Sequence, residues 1–333
     1  RTDHTYGSRS LLMNVRTRQW DPKLLDIFEI EADKLCELRE PGTVIGTVTD
    51  VFAAKTGLVA GTPFVSAGGD QQCAALGHGV TAPGSLEITT GTGAFMLGYS
   101  EKVPDNLTNN IICGAHAIPG KYVLESSMLT CAALYNWAKA NLFADSENDE
   151  KPFERINEAV KQSPPGANDC LALPYFQGRG TPDWNADAKG HFANLGLNTT
   201  RADMARAILE AIALEAKNNL DIVESYVGTI DKLLIGGGLT KFPEFDQMQA
   251  DVYQKALTHN QSSAEQTALG AWANAAVALG IYTTHTEAIS TAKENEQVET
   301  YVPNPAHADI YLRKQRQMNA LYDSVKKLSK DIF

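Results

Sequence analysis

Asp70 is the residue whose neighbours best equip it for acid–base chemistry. Pro63 to Ala67 reads as a buried strand, Gly68-Gly69 as a turn and Gln71 to Leu76 as helix. That order sets a carboxylate at a strand's carboxyl end, between a glycine turn and a helix, where it can take a proton from an attacking hydroxyl. An aspartate there also caps a helix starting at Gln71, and the two roles are compatible. Two further glycine turns follow strand-like runs, at Gly91-Thr92-Gly93 and at Gly236-Gly237-Gly238. One such turn is ordinary punctuation, but three in one α/β chain point to a phosphate site made of backbone amides. None is followed by Gly-Lys-Ser/Thr, and none fits GxGxxG with an acidic residue about 20 positions on, so P-loop and Rossmann readings drop out.

The elements that must hold these turns alternate between strand and helix. Helical spacing covers Trp20 to Glu40, a short strand follows at Val44 to Val48, and Ser85 to Ser100 has the pattern of a hairpin around Gly91-Thr92-Gly93. A strand at Tyr122 to Leu124 leads to a helix near Leu129 to Leu142, and Phe143 to Pro165 reads as a charged, solvated connection. Pro174 to Asn185 is turn chemistry studded with aromatics. Asp203 to Val227 is the clearest helix, with Met204, Ala207, Ile208, Ala211, Ile212 and Leu220 largely on one face. Ile230 to Leu234 reads as a strand, Phe245 to Ala256 and Thr267 to Leu279 as helices, and Ala306 to about Leu328 as an amphipathic terminal helix. Trp137 and Trp272, on alanine-rich helices, read as core. The alternation specifies an α/β class.

Composition narrows the partners. The 333 residues carry 29 Lys plus Arg against 40 Asp plus Glu, a formal charge of −11, with no basic stripe, which disfavours nucleic acid. With 43% hydrophobic and 21% charged residues the chain reads as globular, and no apolar run reaches the roughly 18 residues a membrane span needs. The five cysteines have no CxxC pair and the seven histidines are scattered, so zinc and disulfide frameworks find no support, and reduced thiols suit a cytoplasmic location. The chain opens at Arg1 in RTDHTYGSRS, without Met or a signal segment, which suggests a piece of something longer.

Four stretches together resemble the FGGY family of carbohydrate kinases, of the actin and sugar-kinase ATPase superfamily. They are FVSAGGDQQCAALGHGVTAPGSLEITTGTGAFML from Phe64, GHFANLGLNTTRADMARAILE from Gly190, IGGGLTKFPEFDQMQADV from Ile235 and EQTALGAWANAAVALGIY from Glu265. The opening TDHTYGSRSLLMNVRTRQWD, from Thr2, looks like the end of the family's first domain. Asn194 stands where the family's second signature usually has glycine. The resemblance implies a ribonuclease H-like domain of mixed sheet flanked by helices, with residues 79–333 as the nucleotide domain and 1–78 as the remnant of a first, sugar-binding domain.

The implied activity is ATP-dependent phosphorylation of a sugar or polyol hydroxyl with Mg²⁺. A ketopentose such as xylulose ranks first as acceptor, and glycerol or gluconate next. Residue by residue, Asp70 matches the general base and Gln71 a substrate contact, with Phe95 near the sugar. Gly91 and Thr92 match the hairpin that meets the phosphates, Gly237 and Gly238 the turn against the adenosine, and Phe242 a position beside the adenine. Ala132 and Asn136 lie on a helix that in the family begins with glycine and approaches the nucleotide. No metal ligand within the chain is implied, a homodimer stays open, and this part alone is expected to turn over little or nothing. The rival class is a non-catalytic, actin-like nucleotide-binding regulator or assembly protein, which has no need of a carboxylate at position 70.

Overall fold

The computed structural model describes residues 1–144, 152–260 and 265–332. Its centre is a seven-stranded mixed sheet built from β1 (Ser85–Thr90), β2 (Ala94–Ser100), β3 (Ile112–Ala115), β4 (Tyr122–Met128), β5 (Lys232–Gly237), β6 (Leu257–Asn260) and β7 (Val298–Tyr301). The order across the sheet is β7-β6-β5-β1-β2-β4-β3. β5 runs parallel to β1 and β6, while β2, β3, β4 and β7 each pair antiparallel. The parallel trio ends at one edge, so the turn after β1 and the turn after β5 come out side by side.

Strand alternation gives the sheet two apolar faces. Leu86, Ile88, Met96, Leu124, Leu233 and Ile235 share one face and join the main core. It is covered by α2 (Ala132–Ala138), α3 (Pro152–Gln162), α4 (Arg201–Val227), α5 (Pro243–Tyr253) and the terminal α8 (Ala308–Ile332). A Thr200–Asp203 capping box starts α4, which packs so closely that a Cβ on Gly98 would come within 2.7 Å of Val223 Cγ1. On the opposite face Leu97, Tyr99, Val123 and Leu234 pack against α1 (Asp70–His78). Helix α1 in turn crosses α6 (Gln266–Ala278) at two glycines, beside α7 (His285–Ala292). No helix among the described residues is long and apolar enough to cross a membrane.

Several expected elements take a different form. Trp20 to Glu40 is not one helix but a short helix Pro22–Ile27, a turn Ala32–Lys34 and a strand Leu38–Arg39. Glu29, at φ 55°, breaks the helix, and Leu25 is its one buried residue. The strand before Asp70 is also not buried: Pro63–Val65 pairs only with Val44–Thr47 in an outer hairpin, and Phe64 is 62% exposed. Phe143 to Pro165 contains α3, whose Ile156 and Val160 reach the core; residues 145–151 of that stretch lie outside the described residues. The helix expected from Leu129 starts later, at Ala132, and runs into a π-helical turn Lys139–Phe143. Trp137 and Trp272 are exposed rather than core, set edge-on against Phe176 and Tyr282. The Lys139 ammonium lies 3.8 Å from the centre of the Phe153 ring.

Candidate active site

The carboxyl ends of β1 and β5 converge because only glycine fits between them. Gly237 has φ 98°, and a Cβ there would stand 2.3 Å from the Thr90 carbonyl oxygen. Thr90 Oγ1 donates to the Gly236 carbonyl at 3.0 Å and locks the two strand ends together. Past them the chain is open: Thr92, Gly237 and Gly238 are exposed, and Cβ atoms on Gly91 or Gly238 would meet nothing closer than 3.7 Å. Among the described residues the Thr92 N–H has no acceptor, so one amide of this rim is free for a ligand.

Helix α2 is docked onto the same rim. The Cys131 and Ala132 N–H groups donate to the carbonyls of Thr92 and Gly91 at 2.8 and 2.9 Å, and Ala133 N–H also reaches Thr92. Hairpin carbonyls thus satisfy the first amides of α2, which are not free for phosphate. Asn136 lies one turn beyond Ala132 and is exposed. Phe242 is buried, its ring stacked on Tyr135 of α2 at 6.3 Å, so it packs in the core instead of presenting a face. The structure therefore gathers Gly91, Thr92, Ala132, Gly237 and Gly238 around two strand ends, with Asn136 further along α2 and Phe242 in the core against that helix.

Asp70 and Gln71 form a second group, on the other side of the sheet. Asp70 is exposed at the first position of α1, and the helix N-cap is Gly69, without a capping side chain. Its Oδ1 accepts the Gln71 N–H at 2.8 Å, so the carboxylate holds one first-turn amide and keeps the rest of its surface open. Phe95 belongs to the sheet face that α1 covers, opposite Thr89 and Ser127. No hydrogen bond among the described residues joins Asp70 or Gln71 to the glycine rim.

The structure gives three further features, of which the Thr5–Asp3 pair and Glu87 went unread in the sequence. Thr5 and Asp3 hold the turn before Asp70, the Thr5 hydroxyl accepting the Gly69 N–H at 2.6 Å. Asp-x-Thr at a helix start was the available signal, since Asp3 caps the short helix His4–Arg9. Ser8 and Arg9 tie that helix to the sheet, Arg9 reaching the buried Glu125 at 2.6 Å and Ser8 the Ala115 amide at 3.2 Å. Glu87, in β1, is fully buried, and burial, with the Glu125 charge adding, pushes its carboxyl up to about 8. Nearby, burial and then the charges of Asp3 and Asp70 push the Cys73 thiol up to about 12, which leaves it protonated and unsuited as a nucleophile. The described residues contain no group of three or more His, Cys, Asp or Glu able to hold a metal ion.

Solved structures with this fold define its class. The chain superposes on a xylulose kinase from Lactobacillus acidophilus with a TM-score of 0.88 at 23% identity, covering 98% of this chain and 64% of that one. For a Plasmodium falciparum glycerol kinase with ADP the values are 0.81, 25%, 98% and 63%. This is the actin and hexokinase-like fold of sugar kinases. The chain belongs to the FGGY family of carbohydrate kinases: the family's C-terminal domain model matches residues 86–279, and its N-terminal domain model matches residues 1–77. Glycerol kinase from Burkholderia pseudomallei is 33% identical over 286 residues, 84% of this chain and 55% of that protein. The chain thus spans between 55% and 64% of the length of these proteins.

Proposed function

We propose that this chain is the nucleotide-binding domain and the end of the sugar-binding domain of an ATP-dependent polyol or sugar kinase. On this reading residues 79–333 are the former and 1–78 the latter. The observation that carries it is the exposed Asp70 carboxylate at the start of α1, in a chain of this family that also presents an open glycine rim with a free Thr92 amide. Asp70 takes the proton of the acceptor hydroxyl; the oxygen bonds to the γ-phosphorus of ATP, the bond to the bridging oxygen breaks, and ADP leaves. Gly91 and Thr92 meet the phosphates, Gly237 and Gly238 carry the adenosine, and Ala132 and Asn136 flank it, with Phe242 in the core against α2. Gln71 and Phe95 face the acceptor.

Mg²⁺ would enter on the nucleotide's phosphates, where it would neutralise charge and need few protein ligands. The curated relative quoted at 33% identity is a glycerol kinase, while the xylulose kinase structure is 23% identical, so glycerol moves ahead of the ketopentoses as first acceptor to test. Measuring ADP release by the full-length protein with glycerol, xylulose, ribulose, fuculose and gluconate decides the acceptor. One of them should support turnover well above the ATP-only rate. Nucleotide binding without turnover on any would overturn the enzyme reading and favour the regulator class.

A further inference from the structure

Asp70 sits on a turn that its own residues cannot fix. Gly68 has φ 119°, Gly69 carries no side chain, and α1 starts without a capping group. Asn274 donates to the Ala67 carbonyl just before the turn at 2.6 Å, and the amide that leads into Asp70 is held from 64 residues earlier in the chain. The Gly69 N–H donates to Thr5 Oγ1 at 2.6 Å, and the Thr5 hydroxyl donates to Asp3 Oδ1, which also accepts the Thr5 N–H at 2.8 Å. Ser66 Oγ reaches the other Asp3 oxygen at 3.5 Å. All of this is out of water: Thr5 is 0% and Asp3 5% exposed, and Gly69 is buried. The Thr5 methyl fills the space a Gly68 Cβ would approach to 3.4 Å, so the side chain meets the turn on two sides.

We propose that Asp3 and Thr5 are positioning residues for the Asp70 base. A hydroxyl that donates to a carboxylate is polarised and becomes a better acceptor, so Asp3 tightens the Thr5–Gly69 bond, and that bond sets the peptide from which Asp70 projects. N-capping of the short helix His4–Arg9 accounts for the bond from the Thr5 amide to Asp3, but not for the hydroxyl spanning to Gly69. The placement also gives residues 3–5 a direct hand in the chemistry, since the Thr5 hydroxyl holds the peptide that precedes the base. This inference rests on the reading of Asp70 as the base.

The test uses Thr5→Val, which keeps the shape and removes the hydroxyl, Thr5→Ser, which restores it, and Asp3→Asn, which keeps an acceptor but drops the charge. The first readout is hydrogen exchange of the Gly69 amide in this chain, expected to speed up about tenfold or more in Thr5→Val and to recover in Thr5→Ser. The second is kinetics of the full-length protein: Thr5→Val should lower kcat about tenfold with the KM for ATP within about twofold, and add no further loss in an Asp70→Asn background. If Thr5→Val does not fold, Asp3→Asn carries the same pattern at smaller amplitude. Equal losses of kcat in both backgrounds, or unchanged kcat with a deprotected Gly69, would overturn the proposal. If Asp70→Asn itself leaves transfer unchanged, the base reading falls, while the Gly69 exchange still reports whether Thr5 holds the turn.

Discussion

Glu87 occupies the middle of β1, fully buried, with Thr89 donating to one carboxyl oxygen at 2.7 Å and no partner on the other. Across Leu97 on the same face stands Glu125, already engaged by Arg9. With its pKa pushed up to about 8 by burial, the folded protein keeps a proton that the unfolded chain releases above about pH 4.3. Stability attributable to this group therefore falls as pH rises through that window and levels off above pH 8. Glu87→Gln lacks this dependence, so denaturant melts should show its advantage over the wild type growing by about 3 kcal/mol between pH 5 and pH 8. A gap constant with pH would contradict the assignment. Such a carboxyl looks like an ordinary alternating strand residue in the sequence, since its burial depends on the packing of α1 over that face of the sheet, which the strand's own pattern does not show. The place of Asp70 at a helix start was legible because Gly68 and Gly69 stand immediately before it. Asn194 was legible as a departure, and the structure supplies its reason: it sits at φ 60°, a conformation asparagine tolerates better than other non-glycine residues, and its amide donates to the Asp169 carbonyl at 3.1 Å.

At the scale of elements, the α1–α6 crossing is the joint that sets α1 on the sheet. A Cβ on Gly77 would stand 1.9 Å from the Gln266 carbonyl oxygen, and one on Gly270 1.9 Å from that of Cys73. Gly77→Ala or Gly270→Ala should each cost about 3 kcal/mol or more in a chemical melt, because backbone rather than a side-chain tip must move. Near-wild-type stability would mean the helices cross elsewhere. A second joint ties α8 to the aromatic loop: Arg179 pairs with the buried Glu215 at 2.7 Å and lies over the Tyr322 ring at 4.3 Å. Glu215→Ala strands that guanidinium, and a loss of about 3 to 5 kcal/mol is expected in the same measurement. The long, self-capped α4 and the β1–β2 hairpin were legible because period and caps agree within each. Helix α3 and the strands β3, β6 and β7 were not, since they are short and owe their form to the neighbours they pair with or pack on. The stretch from Trp20 failed for a related reason: it has helical spacing but nothing packed along most of its apolar residues.

For the whole molecule, burial is uneven. In residues 1–67, Met13 and Leu25 are the buried members of the apolar core, while Ile27, Phe28, Val51, Phe52, Val59 and Phe64 are exposed. Phe52 and Phe64 are 51% and 62% exposed, so they bury little apolar area within this chain. Phe52→Ser with Phe64→Ser should leave this chain's melting free energy within about 0.5 kcal/mol, yet destabilise the full-length protein by 2 kcal/mol or more on the scale of buried aromatic truncations, about 3 to 5 kcal/mol. Equal effects in both would show that these side chains face solvent throughout. Whether Asp70 is the base is decided by phosphoryl transfer and ATP binding measured on the full-length protein with and without Asp70→Asn. Transfer should fall by about 10²-fold or more with ATP affinity unchanged. Transfer at the wild-type rate in Asp70→Asn would contradict that role and leave Asp70 as a residue that only holds the Gln71 amide at the start of α1.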